Sequence, residues 1–183
     1  MTMTINADAL KVVAQLNKKL GANTVVTANL IRKMKRLSTG SLTLDVVLGG
    51  GWPTNQWVEI VGEASHGKTA IALKTIATNQ VLDPNFTAVW IAAEPFDKGY
   101  AEMCGVDTER VLLVETNSME DAFDACIQFM ESKGVDLVVV DSLPALVPSA
   151  EDEKDMEEFT VGRGALITNK FFRKVSAATR RDL

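Results

Sequence analysis

Residues 62–69 read Gly62-Glu63-Ala64-Ser65-His66-Gly67-Lys68-Thr69, a match to the pattern G-x-x-x-x-G-K-[ST]. No other stretch restricts the possible folds as much. The pattern works only where a strand runs into a glycine-rich loop and the loop opens a helix. Backbone N–H groups and the helix N-terminus then form an anion cradle. The flanks supply both parts. Trp57 to Val61 is a short apolar run that predicts a strand, and a helix is expected over about 67–80. In such a loop Lys68 sets a point charge on the β- and γ-phosphates and the Thr69 hydroxyl binds magnesium. Ala70 continues the same cradle. The chain is therefore expected to bind a nucleoside triphosphate with Mg2+.

The rest of the chain alternates. Strands are predicted at Thr87 to Ala92, Arg110 to Val114 and Leu137 to Val140, and helices at about 97–104, Met119 to Ser132 and about 161–178. Leu137 to Val140 is nearly all Val and Leu, as expected of a strand buried on both faces. Strand and helix in alternation predict an α/β fold with a parallel sheet and right-handed crossovers. Ahead of this core, residues 6–20 carry Ala9, Leu10, Val13, Leu16 and Leu20 at helical spacing, with Gly21 as a stop signal. A second segment, roughly 24–37, leads to the loop Ser38-Thr39-Gly40-Ser41 and a short helix over Leu42 to Leu48. Gly49-Gly50-Gly51 and Trp52-Pro53 then break the chain. The boundary between appendage and core is set near residue 37.

Composition narrows the class further. With 46% hydrophobic and 23% charged residues the 183-residue chain reads as a globular domain. The apolar runs are too short to cross a bilayer, and the N-terminus lacks the basic and apolar regions of a signal peptide, so a cytoplasmic location is expected. Cys104 and Cys126 lack metal-ligand spacing and read as reduced, buried thiols. The net charge of −5 argues against a uniformly basic nucleic-acid binder. Its distribution is uneven: Arg32, Lys33, Lys35 and Arg36 form a basic cluster, residues 151–158 an acidic one, and Arg163 to Arg181 a second basic stretch. Taken alone, such runs are solvated faces.

A phosphate site of this kind needs an acid at the end of a neighbouring strand. Leu137-Val138-Val139-Val140-Asp141 supplies one, at the carboxyl edge where open α/β sheets bind ligands. An Asp in that place either caps the next turn or holds the metal, and the glycine-rich loop favours the metal. Ser142 follows and is placed to bond the γ-phosphate region or the metal's water. Glu94, after Ala92 and Ala93, is either a surface acid at a strand end or the carboxylate that orients an attacking water.

Several segments together resemble the bacterial RecA recombinases. They are Leu37-Ser38-Thr39-Gly40-Ser41-Leu42-Thr43-Leu44-Asp45, the glycine-rich loop, Ala92-Ala93-Glu94 and Val138-Val139-Val140-Asp141-Ser142. Leu16-Asn17-Lys18-Lys19-Leu20-Gly21 resembles that family's N-terminal appendage, and the similarity runs from about Leu16 to about Lys174. The resemblance implies a P-loop NTPase core of RecA type, with a mainly parallel sheet flanked by helices. Residues 1–37 are then a helical oligomerisation segment, and 38–183 an ATPase core that is incomplete at its C-terminal end. It further implies ATP and Mg2+ as ligands and a DNA-dependent ATPase that forms a helical filament on single-stranded DNA, pairs it with duplex DNA and exchanges strands. The alternative is a paralogue or truncated core that binds ATP and DNA without strand exchange. By the same resemblance Glu94 is the catalytic base, Asp97 and Tyr100 contact adenine, and Lys68, Thr69, Asp141 and Ser142 serve the phosphates and the metal. His66, the only histidine, stands where the family has a small polar residue and is assigned no side-chain role. The N-terminal helix is expected to pack on a neighbouring copy. Residues 151–158 align with a DNA-binding loop. Arg173 matches a DNA-contacting arginine, and Arg163 is expected to substitute for an arginine that the family has at Leu166.

Overall fold

A computed structural model describes residues 5–31, 33–149 and 162–179. The acidic segment 151–158 and Arg32 of the basic cluster lie outside the described residues. The chain divides into two compact units, Met1–Met34 and Lys35–Leu183.

The first unit carries helix α1 (Ala7–Leu20). The Asn6 side chain accepts from the backbone N–H of Asp8, which fixes the helix start. Gly21, at φ 115°, ends it. The Asn17 amide then bonds both the N–H and the C=O of Val25, at 2.7 and 2.9 Å, tying the following turn back to the helix. No residue of α1 is buried; Leu10, Leu16 and Leu20 are all exposed.

The second unit is built on a three-stranded parallel sheet in the order β4-β3-β5, with β3 at Ala88–Ala92, β4 at Val111–Glu115 and β5 at Leu137–Asp141. Every residue of β3 is buried. Its side chains alternate between faces. Ala88, Trp90 and Ala92 join Leu73, Ile76 and Ala77 of helix α3 (Lys68–Leu82) and Ala101 of α4 (Lys98–Met103). Val89 and Ile91 point the other way, into Ala122, Phe123 and Cys126 of α5 (Met119–Ser132) and Phe171 and Val175 of α6 (Arg163–Thr179). The connection from β3 to β4 thus runs over one face and that from β4 back to β5 over the other. Reversing the step direction across a sheet at constant hand requires this change of face.

A smaller antiparallel pair precedes the sheet: β1 (Arg36–Leu37) and β2 (Trp52–Pro53), separated by helix α2 (Leu42–Val47). It is anchored on α3 by buried polar groups. The Asn79 amide donates to the carbonyls of Ser38 and Thr75 and accepts from the Ser38 N–H, while the Trp52 indole N–H donates to Thr75. Gly51 has φ 107°, and a Cβ there would collide with the Leu37 carbonyl oxygen, so the β1–β2 approach requires glycine.

One expectation needs correction. Trp57–Val61 is not a strand. Among the described residues it pairs with no neighbour, and a cleft of about 1290 Å³ is lined both by this segment and by β5. A ladder needs strands roughly 4.8 Å apart. The Trp57 ring instead packs edge-on against Phe171 and Phe172, with centroids at 5.2 and 5.1 Å. Leu137–Asp141 does pack on both faces, Leu137 and Val139 toward α3 and α4 and Val138 and Val140 toward α5 and α6; it lies at the edge of the described sheet with its residues half-buried, and β3 holds the centre. Both cysteines are free and buried, and burial pushes the Cys126 thiol up to about 12. No helix among the described residues is long and apolar enough to cross a membrane.

Replacing Asn79 by Ala removes the side-chain partner of the half-buried Ser38 N–H and carbonyl. The variant is expected to lose about 1–3 kcal/mol of unfolding free energy, seen as a lower midpoint in urea denaturation with an unchanged slope.

Candidate functional site

The site follows from where the connections leave the sheet. The chain leaves β3 toward α4 on one face, and the chain leaving β5 reaches α6 on the other. Adjacent parallel strands whose connections part in this way leave a crevice at their carboxyl ends, the usual ligand position in open α/β sheets. Glu94 lies just past β3, and Asp141 and Ser142 close β5. The backbone stitches these ends together, since the N–H groups of Ala93 and Glu94 both donate to the Asp141 carbonyl, at 3.0 and 3.2 Å.

Helix α3 starts in the same place. Its N-cap is Gly67 at φ 87°, a left-handed conformation that favours glycine. Ser65 is also left-handed, at φ 61°. Gly62, by contrast, has an ordinary φ and open space where a Cβ would lie. Lys68 arches over the loop, donating to the carbonyls of Gly62 and Glu63 at 2.9 and 2.7 Å, which leaves one ammonium hydrogen for another acceptor. The His66 Nδ1 lies 2.8 Å from the Ala64 carbonyl, and its Nε2 lies 4.0 Å from the Glu63 carboxylate. Thr69, one residue into the helix, donates its hydroxyl to Asp141 Oδ2 at 2.9 Å, across 72 positions of sequence. Ser142 donates to Glu94 Oε1 at 2.6 Å. The Asp141–Ser142 peptide bond is cis.

Gly62, Ala64, Ser65, Lys68, Thr69, Glu94, Asp141 and Ser142 all line the large cleft. Glu63, His66, Gly67 and Ala70 belong to the same loop and helix start without lining it. Asp97 and Tyr100 also lie off that lining. The Asp97 carboxylate caps α4, accepting from the Tyr100 N–H through Oδ1 at 2.9 Å, while the Tyr100 ring is 41% exposed. Cys104 beside it raises the Tyr100 phenol above its ordinary value. Arg163 and Arg173 are both exposed on α6, about 15 Å apart along its axis. The Arg173 Nε reaches the Asn169 carbonyl at 3.4 Å.

The donor chemistry suits a hydrated divalent cation. Among the described residues no three His, Cys, Asp or Glu side chains gather to hold a metal. Thr69 and Asp141 nevertheless offer a hydroxyl and a carboxylate side by side, both hard oxygen donors. Mg2+ commonly takes one or two carboxylates, with phosphate oxygens and waters completing its shell.

Sequence reasoning did not single out Glu120. Its carboxylate accepts from the Ser149 N–H and hydroxyl at 2.9 and 3.0 Å, holding the chain beyond β5 against the first turn of α5. Burial raises its carboxyl. The bonds from Ser149 and the nearby charge of Arg163 outweigh that and keep it below the ordinary value. An acid in the first turn of a helix was the one available signal, and it does not name a partner 29 residues away.

A family model described as the RecA N-terminal domain matches residues 8–182. The chain is 37% identical over 166 residues to Protein RecA of Synechocystis sp., a stretch covering 89% of this chain and 46% of that protein. Against Protein RecA of Prochlorococcus marinus the identity is 37% over 168 residues, covering 90% and 46%. Against Protein RecA of Acinetobacter baumannii it is 36% over 173 residues, covering 92% and 49%. The chain spans about half the length of the relatives it matches.

The two loop glycines should respond differently to a methyl group. Gly67→Ala is expected to lose about 1–2 kcal/mol of stability through its left-handed backbone alone. Gly62→Ala is expected to stay within about 0.5 kcal/mol of the parent. Urea denaturation of the two variants checks this, and equal losses would contradict the loop geometry.

Proposed function

The chain belongs to the RecA family, and on that premise we propose that it is the nucleotide-binding part of an ATP-dependent DNA recombinase. In this reading residues 38–183 form a P-loop NTPase core of RecA type. Residues 1–37, helical over Ala7–Leu20 and ending in the strand β1, form a segment through which copies join in a cytoplasmic filament on single-stranded DNA. The filament pairs its strand with a homologous duplex and exchanges strands in recombination and DNA repair. The exposed apolar stripe of α1 is consistent with a partner outside its own unit.

The observation that carries the reading is the Thr69–Asp141 hydrogen bond of 2.9 Å. A hydroxyl opening the helix after a glycine-rich loop meets an aspartate ending a parallel strand, with Lys68 next to Thr69 in the chain and Glu94 bonded by Ser142, the residue after Asp141. Thr69 and Asp141 would hold Mg2+, which when bound neutralises charge on the phosphate oxygens. Lys68 and the N–H groups of residues 62–70 bind and orient the triphosphate. Glu94 serves as the base that accepts a proton from the attacking water. Asp97 and Tyr100 take the adenine, with Asp97 Oδ2 as the carboxylate oxygen not engaged in capping α4. Arg163 and Arg173 serve as DNA phosphate contacts, which position a strand without reading its sequence.

A second reading is a paralogue that binds ATP and DNA in an annealing or regulatory role, without strand exchange. Leu166, 70% exposed on the helix that carries Arg163 and Arg173, favours it, because the family resemblance expects a cation there.

Single-stranded DNA is expected to stimulate ATP hydrolysis by the protein. Lys68→Ala should abolish that activity, with its circular dichroism unchanged. ATPase activity indifferent to DNA would overturn the recombinase reading. A strand-exchange assay separates the two readings, since only the first expects joint molecules.

A further inference from the structure

Glu94 is exposed, its long side chain has several rotatable bonds, and a base must keep its oxygens aimed at one water. Among the described residues its side-chain partner is Ser142, whose hydroxyl donates to Oε1 at 2.6 Å. That length is typical of a hydrogen bond strengthened by a charged acceptor. The bond is held at both ends by the main chain. The Ala93 and Glu94 N–H groups fasten the end of β3 to the Asp141 carbonyl, and Ser142 is the residue after Asp141. Asp141 in turn accepts from Thr69. One short run of bonds therefore links the helix start, the aspartate, the serine and the glutamate. Spending its hydroxyl on Glu94 gives Ser142 a task other than contact with the γ-phosphate or the metal's water.

We propose that Ser142 is the positioning residue for Glu94: its hydroxyl fixes Oε1 and leaves Oε2 to accept the hydrogen of the attacking water. This inference rests on the ATPase reading above. In the hydrolysis step the water oxygen bonds the γ-phosphorus, the bond from that phosphorus to the ADP oxygen breaks, and the water proton passes to Glu94 Oε2. Ser142 keeps its own proton throughout. It acts on the orientation of the base and not on nucleotide binding, so its loss should be felt where water is in line for attack.

The test compares the wild type with Ser142→Ala and Ser142→Thr, each with single-stranded DNA and Mg2+. Affinities are measured for ADP alone and for ADP with aluminium fluoride, a mimic of the transferring phosphoryl group that needs an oriented water. Ser142→Ala is expected to bind ADP within about twofold of wild type and the fluoride complex about tenfold or more weakly, with kcat reduced to a similar degree and KM unchanged. Ser142→Thr keeps the hydroxyl and is expected to match wild type in both. If Ser142→Ala binds both ligands as wild type does, or loses both together, the positioning role is overturned. It is also overturned if Ser142→Thr is as defective as Ser142→Ala. A wild-type protein that binds no ADP sinks the ATPase reading and this inference with it. Normal ADP binding without the selective loss sinks the inference alone.

Discussion

The burial of β3 between two apolar layers is the constraint on which the second unit depends. All five of its residues are buried, and their alternation feeds Ala88, Trp90 and Ala92 into the α3–α4 side and Val89 and Ile91 into the α5–α6 side. With parallel neighbours on both edges and apolar layers on both sides, β3 has no solvated face. The helices must then cover opposite sides, so the connections leaving β3 and β5 diverge. The crevice beside Glu94 and Asp141 results from that divergence. The apolar packing that holds the unit together also decides where a polar site can open.

The site itself is held by hydrogen bonds across strand and helix ends. Thr69 to Asp141, Ser142 to Glu94 and the paired N–H groups on the Asp141 carbonyl join three segments far apart in sequence. None of these side chains is deeply buried, so each bond alone contributes modestly in water. Their effect is geometric. They keep acid, hydroxyl and ammonium groups in fixed relation while the loop between them presents its backbone. A buried amide and a buried hydroxyl do comparable work further back, where Asn79 and Thr75 lock the β1–β2 pair onto the helix that begins at the loop.

Much of this was legible residue by residue. The helix read at Met119 to Ser132 matches α5 to the residue, and the three strands of the sheet lie within about one residue of their expected places. Those segments carry periodicity, a cap or a turn signal of their own. Trp57–Val61 was misread because an apolar run reports the need for cover, and aromatic packing on Phe171 and Phe172 meets that need without a ladder. The valine run of β5 finds cover on both faces, although the strand stands at the edge of the described sheet. Hydrophobicity does not tell which strand stands in the middle.

Contiguous residues suffice to specify the glycine-rich loop and the alternation of strands and helices. Each is encoded in contiguous residues through steric demand, as at Gly67, or through period. Which distant groups meet is fixed by the folded core. It joined Thr69 to Asp141, gave the Ser142 hydroxyl to Glu94, held Ser149 on Glu120 and set Asp97 as the cap of α4. Such pairings depend on strand order and on the face each helix covers. Both are settled by the whole core folding at once, and no single segment carries them.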